Sequence, residues 1–156
     1  MKLSTKGRYA VMAMADLATH SNGKPVSLAE IAERQEISLS YLEQLFGKLR
    51  RGELVSSVRG PGGGYLLARS PSETRISDIV LSVDEPIKTT RCSIGSRGCR
   101  SNNARCLTHD LWEELGNQIR LFLSSISLAD VVEQRVVVGN PSLPREDRNG
   151  AYANLS

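Results

Sequence analysis

The chain has 156 residues, enough for one domain or a small domain with an added arm, and its aromatic content of 4% leaves any core to Leu, Ile, Val and Ala. No apolar run approaches the ~20 residues of a membrane span. The basic start is interrupted by Lys6, Arg8 and Asp16 and carries no signal-cleavage pattern, so a cytoplasmic protein with reduced thiols is expected. The net charge of +3 belongs to the first half: residues 1–83 hold 11 Lys and Arg against 8 Asp and Glu, whereas residues 84–156 hold 9 of each.

Ser4 is placed to cap a first helix running to about His20, with Tyr9, Ala10, Ala13, Met14 and Leu17 at helical spacing. Ser21 to Pro25 is turn chemistry. Ser27 and Glu30 form a capping-box pattern before a short second helix that buries Leu28, Ile31 and Ala32. After a turn from Gln35 to Ser38, a third helix is expected from Leu39 to Arg51. Leu42, Leu45, Phe46 and Leu49 give it one apolar face; Ser40, Tyr41, Glu43, Gln44, Gly47, Lys48 and Arg51 give it a polar one. Two short helices joined by a tight turn, the second polar outside and basic at its end, read as a helix-turn-helix.

Residues Leu54 to Arg59 and Tyr65 to Arg69 read as strands around the loop Gly60-Pro-Gly-Gly-Gly64. A hairpin directly after a recognition helix is the wing of a winged helix. The glycine run is not a phosphate-cradling loop, since no GK[ST] follows. Ile76, Ile79, Val80 and Val83 mark a fourth helix. The expected fold is therefore mainly α with a small β-hairpin: a winged helix-turn-helix DNA-binding domain over residues 1–83. In that fold Ser40, Glu43 and Gln44 are placed to read base edges. Tyr41, Lys48 and Arg51 suit phosphates, and Arg59 suits a narrow minor groove. For each side chain the plainer alternative is solvated helix surface.

Residues 84–108 form a loop with neither helical nor strand periodicity, rich in Ser, Gly, Asn and Arg. A structureless stretch longer than ~12–15 residues inside a compact domain is usually functional or disordered. It holds Cys92, Cys99 and Cys106, with His109 just beyond, and the spacing is C-x6-C-x6-C-x2-H. Three soft thiols and an imidazole suit a metal centre. The flanking Lys88, Arg91, Arg97, Arg100 and Arg105 favour thiolates. Thiol redox chemistry and inert cysteines are the alternatives; a structural zinc is another, although the short C-x₂₋₄-C knuckle is missing.

Thr108 is placed to cap a long helix from His109 to about Ser125. Leu111, Leu115, Ile119, Phe122 and Ile126 form its apolar stripe, widened by Trp112 and Leu123. The small winged domain offers limited surface for such a helix, so a dimerisation helix is expected. Ser127 caps a last helix through about Arg135, which closes the unit 109–135. The tail, 136–156, has a disordered composition. His20 and His109 have no convincing Ser or Asp partner in sequence, and no C-x-x-C pair appears, so the chain is not expected to be an enzyme.

The strings KGRYAVMAMADLA, ISLSYLEQLFGKLRRGELVSSVRGPGGGYLLAR and RCLTHDLWEEL closely resemble the IscR family of iron–sulfur cluster regulators, over roughly residues 1–135. The resemblance implies a homodimeric winged-helix transcription factor that binds a two-fold-related site in double-stranded DNA. It also implies a 2Fe–2S cluster, received from the iron–sulfur assembly machinery and held by Cys92, Cys99, Cys106 and His109. Cluster occupancy would change operator choice, with genes for cluster assembly as typical targets. The gaps between cysteines are longer than in enterobacterial members. A related class senses nitric oxide through a Cys-ligated cluster; the Cys-x2-His pair favours the assembly regulator.

Overall fold

The computed structural model describes residues 4–83 and 104–136. Its helices are α1 (Thr5–His20), α2 (Leu28–Gln35), α3 (Leu39–Arg51), α4 (Ile76–Val83), α5 (His109–Ser125) and α6 (Leu128–Val132). Strands β1 (Val55–Val58) and β2 (Gly64–Leu67) form an antiparallel hairpin between α3 and α4. Among the described residues no helix is long and apolar enough to cross a membrane.

Each early helix starts where a side chain can satisfy its first orphan N–H groups. The Ser4 hydroxyl accepts from the Gly7 N–H at 3.3 Å, and the Ser38 hydroxyl from the Tyr41 N–H at 3.3 Å. At Ser27 the capping box is complete: the Glu30 carboxylate accepts from the Ser27 N–H at 2.9 Å, and the Ser27 hydroxyl accepts from the Glu30 N–H at 3.3 Å. Helix α2 ends at Glu36 in the left-handed region (φ 54°, ψ 40°), which reverses the chain towards α3. Ile37, 6% exposed, closes the turn by donating its N–H to the Ala32 carbonyl.

Helix α1 packs on α4 and α3: Ala10, Ala13, Met14 and Leu17 are fully buried, as are Ile79 of α4 and Leu42, Phe46 and Leu49 of α3. Leu28 and Ala32 are only partly buried beside Ile31. The hairpin pairs Val55 with Leu67 through Val58 with Gly64. It is shorter than expected. The Leu54 N–H is spent on the Leu49 carbonyl, closing α3, and Arg59 already turns into the loop. Val26 pairs with Tyr65 on the free side of β2, through N–H···O bonds of 3.0 and 2.8 Å. Gly64 must lack a side chain there, since a Cβ would collide with the Val26 carbonyl. The Tyr65 ring meets Phe46 edge-on at 4.9 Å, which fixes the wing against α3.

The C-terminal helices return to the same core. The Ile76 N–H donates to the Ile126 carbonyl at 3.0 Å, and the Leu128 N–H to the Thr74 carbonyl at 2.8 Å. Leu128 is fully buried. Two expectations need correction. Helix α6 stops at Val132, not near Arg135: Gln134 adopts φ 55°, and the Arg135 N–H turns back to the Asp130 carbonyl. Thr108 precedes α5 without capping it. Its backbone (φ −101°, ψ 5°) is outside the extended region an N-cap needs, and its side chain accepts no N–H from the first turn. The tail beyond Val136, and its expected disorder, lie outside the described residues.

Candidate nucleic-acid interface and metal centre

Helix α3 divides into the two faces its periodicity implies. Leu42, Leu45, Phe46 and Leu49 are buried, and Ser40, Glu43, Gln44 and Arg51 are exposed. With exposed Arg50, the face therefore carries one hydroxyl, one carboxylate, one amide and two guanidinium groups over about three helical turns. These groups can accept from or donate to base edges and phosphates. Arg59 is exposed where β1 enters the wing turn, which is closed by the Gly63 N–H donating to the Gly60 carbonyl at 2.9 Å.

The flanks of α3 differ from the sequence reading. Tyr41 is half-buried and meets the Tyr9 ring edge-on at 5.9 Å, so its ring braces α3 against α1. The Lys48 ammonium donates to the Val83 carbonyl at the end of α4, at 3.2 Å. Arg50 was not among the expected contacts. It is exposed on the wing side, with Nη1 3.5 Å from the Ser57 hydroxyl of β1. The signal available in sequence was its position one turn after Phe46, the residue that touches the wing.

Of the four expected metal ligands, Cys106 and His109 are described; Cys92 and Cys99 lie outside the described residues, with Lys88, Arg91, Arg97 and Arg100. The chain folds Cys106 and His109 into one turn, in which the His109 N–H donates to the Cys106 carbonyl at 3.1 Å. Cys106 is half-buried, and its sulfur lies 3.9 Å from the Thr108 hydroxyl. The His109 side chain is 11% exposed, and its Nε2 lies 3.8 Å from the Glu113 carboxylate one turn on. Asp110 completes a group of three potential donors with these two, but Arg105 already pairs with it at 3.1 Å. A thiol and an imidazole in one turn are a donor pair of the right chemistry for a soft or borderline metal.

The expected dimerisation helix is partly committed to its own chain. His109 and Gly116 are buried, and Leu115, Ile119, Leu123 and Ile126 are half-buried. Leu111, Trp112 and Phe122 remain 61%, 43% and 45% exposed.

The Rrf2 family, described as iron-dependent transcriptional regulators, matches residues 3–134. The chain belongs to the Rrf2 family. The HTH-type transcriptional regulator IscR of Photorhabdus laumondii is 56% identical over 138 residues, covering 88% of this chain and 83% of that one. Among solved structures, T. potens IscR superposes with a TM-score of 0.70 at 38% identity, covering 94% of each chain. CymR of B. subtilis, the global cysteine regulator, superposes at 0.71 with 32% identity, covering 86% of this chain and 98% of that one. This Rrf2 protein is thus a DNA-binding transcriptional regulator, not an enzyme, and its winged-helix fold is shared across regulators of different names.

Proposed function

We propose that this Rrf2 protein is a homodimeric sensor of iron–sulfur supply. It holds a 2Fe–2S cluster through Cys92, Cys99, Cys106 and His109, and cluster occupancy changes which operators it binds. The observation that carries the reading is the turn that places Cys106 and His109 together at the start of α5. The IscR relatives support it, as does the C-x6-C-x6-C-x2-H spacing. A bound cluster supplies a charged group sensitive to its own supply and to oxidation. The residues of the chain do the rest. Glu113 lies 3.8 Å from His109 Nε2, where a carboxylate can orient a ligating imidazole. Arg105, paired to Asp110, holds the approach to the turn.

Ser40, Glu43 and Gln44 read bases, Arg51 contacts phosphate and Arg59 enters the minor groove. Two copies joined through Leu111, Trp112 and Phe122 of α5, with Leu115, Ile119 and Ile126 beneath them, present two such surfaces to a two-fold-related operator. The assembly machinery of the cytoplasm is the cluster donor, and cluster-assembly genes are the targets.

The test is an anaerobic absorption spectrum with iron, sulfide and zinc analysis on one sample, followed by DNA binding with and without the cluster. Visible charge-transfer bands and about two iron and two sulfide per chain are expected for a cluster of this type. A colourless protein with one zinc per chain would make the Cys/His site structural. Loss of cluster and DNA affinity at stoichiometric nitric oxide would make the protein a nitric-oxide sensor.

A further inference from the structure

Helix α4 is described over Ile76–Val83, and its last described turn holds no basic residue that would complement the negative end of the helix dipole. Another element supplies one: Lys48 of α3 donates to the Val83 carbonyl at 3.2 Å. Four residues on, α3 fits the same turn a second time. Gly52, which ends α3, lies so close to Ser82 that a Cβ would meet the Ser82 hydroxyl. That hydroxyl is held in place by its own bond to the Asp78 carbonyl at 2.8 Å. The last turns of α3 and α4 are thus joined by a charge-assisted hydrogen bond and a close backbone approach, while Val83 itself is 1% exposed.

We propose that Lys48 is a positioning residue of operator binding: its bond to the Val83 carbonyl fixes the recognition helix to the last described turn of α4, instead of contacting a DNA phosphate. Lys48 leaves the polar face of α3 one turn after Gln44 and three residues before Arg51, and its half-buried side chain reaches from the edge of that face to α4. In sequence, Val83 leads directly into the segment that bears Cys92 and Cys99. The clamp is then the route by which that segment biases the DNA-reading face; this last step rests on the proposed cluster reading, whereas the clamp does not.

The experiment uses the full-length chain without metal, so that it stands apart from the cluster question. Operator affinity is measured over a salt series for the parent, Lys48→Met, Lys48→Arg and Arg51→Ala, with amide hydrogen exchange on each. A lost phosphate contact lowers the slope of log affinity against log salt by about 0.9. Arg51→Ala is expected to show that drop. Lys48→Met is expected to keep the parent slope, bind several-fold more weakly, and exchange the amides of residues 81–83 about tenfold faster, as loss of a charged cap frays a helix end. Lys48→Arg is expected to restore most of the protection. A slope reduced by about 0.9 in Lys48→Met would make Lys48 a phosphate ligand and overturn the proposal. So would unchanged exchange at 81–83. If Lys48→Met does not fold, Lys48→Gln takes its place under the same two criteria.

Discussion

The Asp16 carboxylate of α1 accepts from Arg34 of α2, from Nη2 at 2.8 Å and from Nε, shared between both oxygens, at 3.0 and 3.3 Å. Gln35 adds a further bond at 2.8 Å. The Asp16 side chain is fully buried and that of Arg34 about one-third exposed. This pair locks the first helix of the domain to the first helix of the helix-turn-helix. Burial alone would push the Asp16 carboxyl up; the bonds from Arg34 and Gln35, with the charge of Arg34 and nearby His20, outweigh it and hold the group below its usual value. Asp16→Ala removes one half of a buried pair, and a loss of roughly 3–5 kcal/mol is expected in urea unfolding. Because the folded value is depressed, the stabilisation is present above the unfolded carboxylate range and is lost as pH falls through the folded value. A urea series at falling pH should therefore show a steeper acid loss in the parent than in Asp16→Asn. Parallel curves would show that the pair does not carry the linkage.

Glu36 holds the left-handed position of the helix-turn-helix turn, at φ 54°. That backbone costs a residue with a Cβ about 1 kcal/mol or more, and glycine nothing steric. Its side chain is exposed, so little contact is lost on replacement. Glu36→Gly is expected to raise stability by about 0.5–1 kcal/mol, net of the extra freedom it gives the unfolded chain. A lower denaturation midpoint in Glu36→Gly would mean that the Glu36 side chain makes a contact worth more than the strain it carries.

The boundaries of α1 to α4 were legible because each signal is local. Ser4, Ser27 and Ser38 each cap within three residues, and the apolar spacing of α3 alone separates Leu42 and Leu49 from Gln44 and Arg51. What was not legible depends on partners far along the chain. Asp16 counts in sequence only as a charge in the basic start, because its partner Arg34 lies 18 residues on. The bond from Lys48 to the Val83 carbonyl joins residues 35 apart in the chain. Thr108 has the right side chain for a cap, but the backbone angle that decides capping is set by the Cys106–His109 turn and not by residue type. The donor pair is visible as C-x2-H; the approach of Glu113 to the His109 ring, one turn on, is not.

Glu43 is the one carboxylate on the exposed face of α3. It is repelled by phosphate unless a base such as cytosine donates to it. Glu43→Ala is expected to relax discrimination between preferred and altered operators by about tenfold, within the ~1–3 kcal/mol a specific base contact carries. It should also narrow the difference in operator choice between cluster-loaded and cluster-free protein. Binding ratios on a panel of sites check both, and unchanged ratios would remove Glu43 from the readout.

Glu113 faces His109 Nε2 from one helical turn away, the place an orienting carboxylate takes beside a ligating imidazole. Glu113→Gln keeps the shape and removes the charge. Retention of iron on competition with a chelator is expected to weaken about 10- to 100-fold, the range for loss of such a partner. Far-UV circular dichroism of the metal-free variant should match the parent, because the carboxylate is about half exposed and its contact with the ring is local. Parent-like iron retention would show that His109 is oriented by the Cys106 turn alone.

Phe122 and Leu111 lie three turns apart on α5 and are both substantially exposed, while Leu115 and Ile119 beside them are half-buried against their own chain. A large aromatic side chain left in water beside exposed Leu111, Trp112 and Leu121 marks an interaction surface. Phe122→Glu places a charge there without touching buried Gly116 or half-buried Leu123. An anchor of this kind contributes at least ~2 kcal/mol, so the dimer dissociation constant is expected to rise about 30-fold or more in sedimentation equilibrium. Affinity for a full two-fold operator should fall with it, whereas binding to a single half-site should hold, since α3 and the wing are unchanged. A variant that remains dimeric at the parent concentration would place the interface elsewhere and leave the exposed stripe of α5 to a different partner.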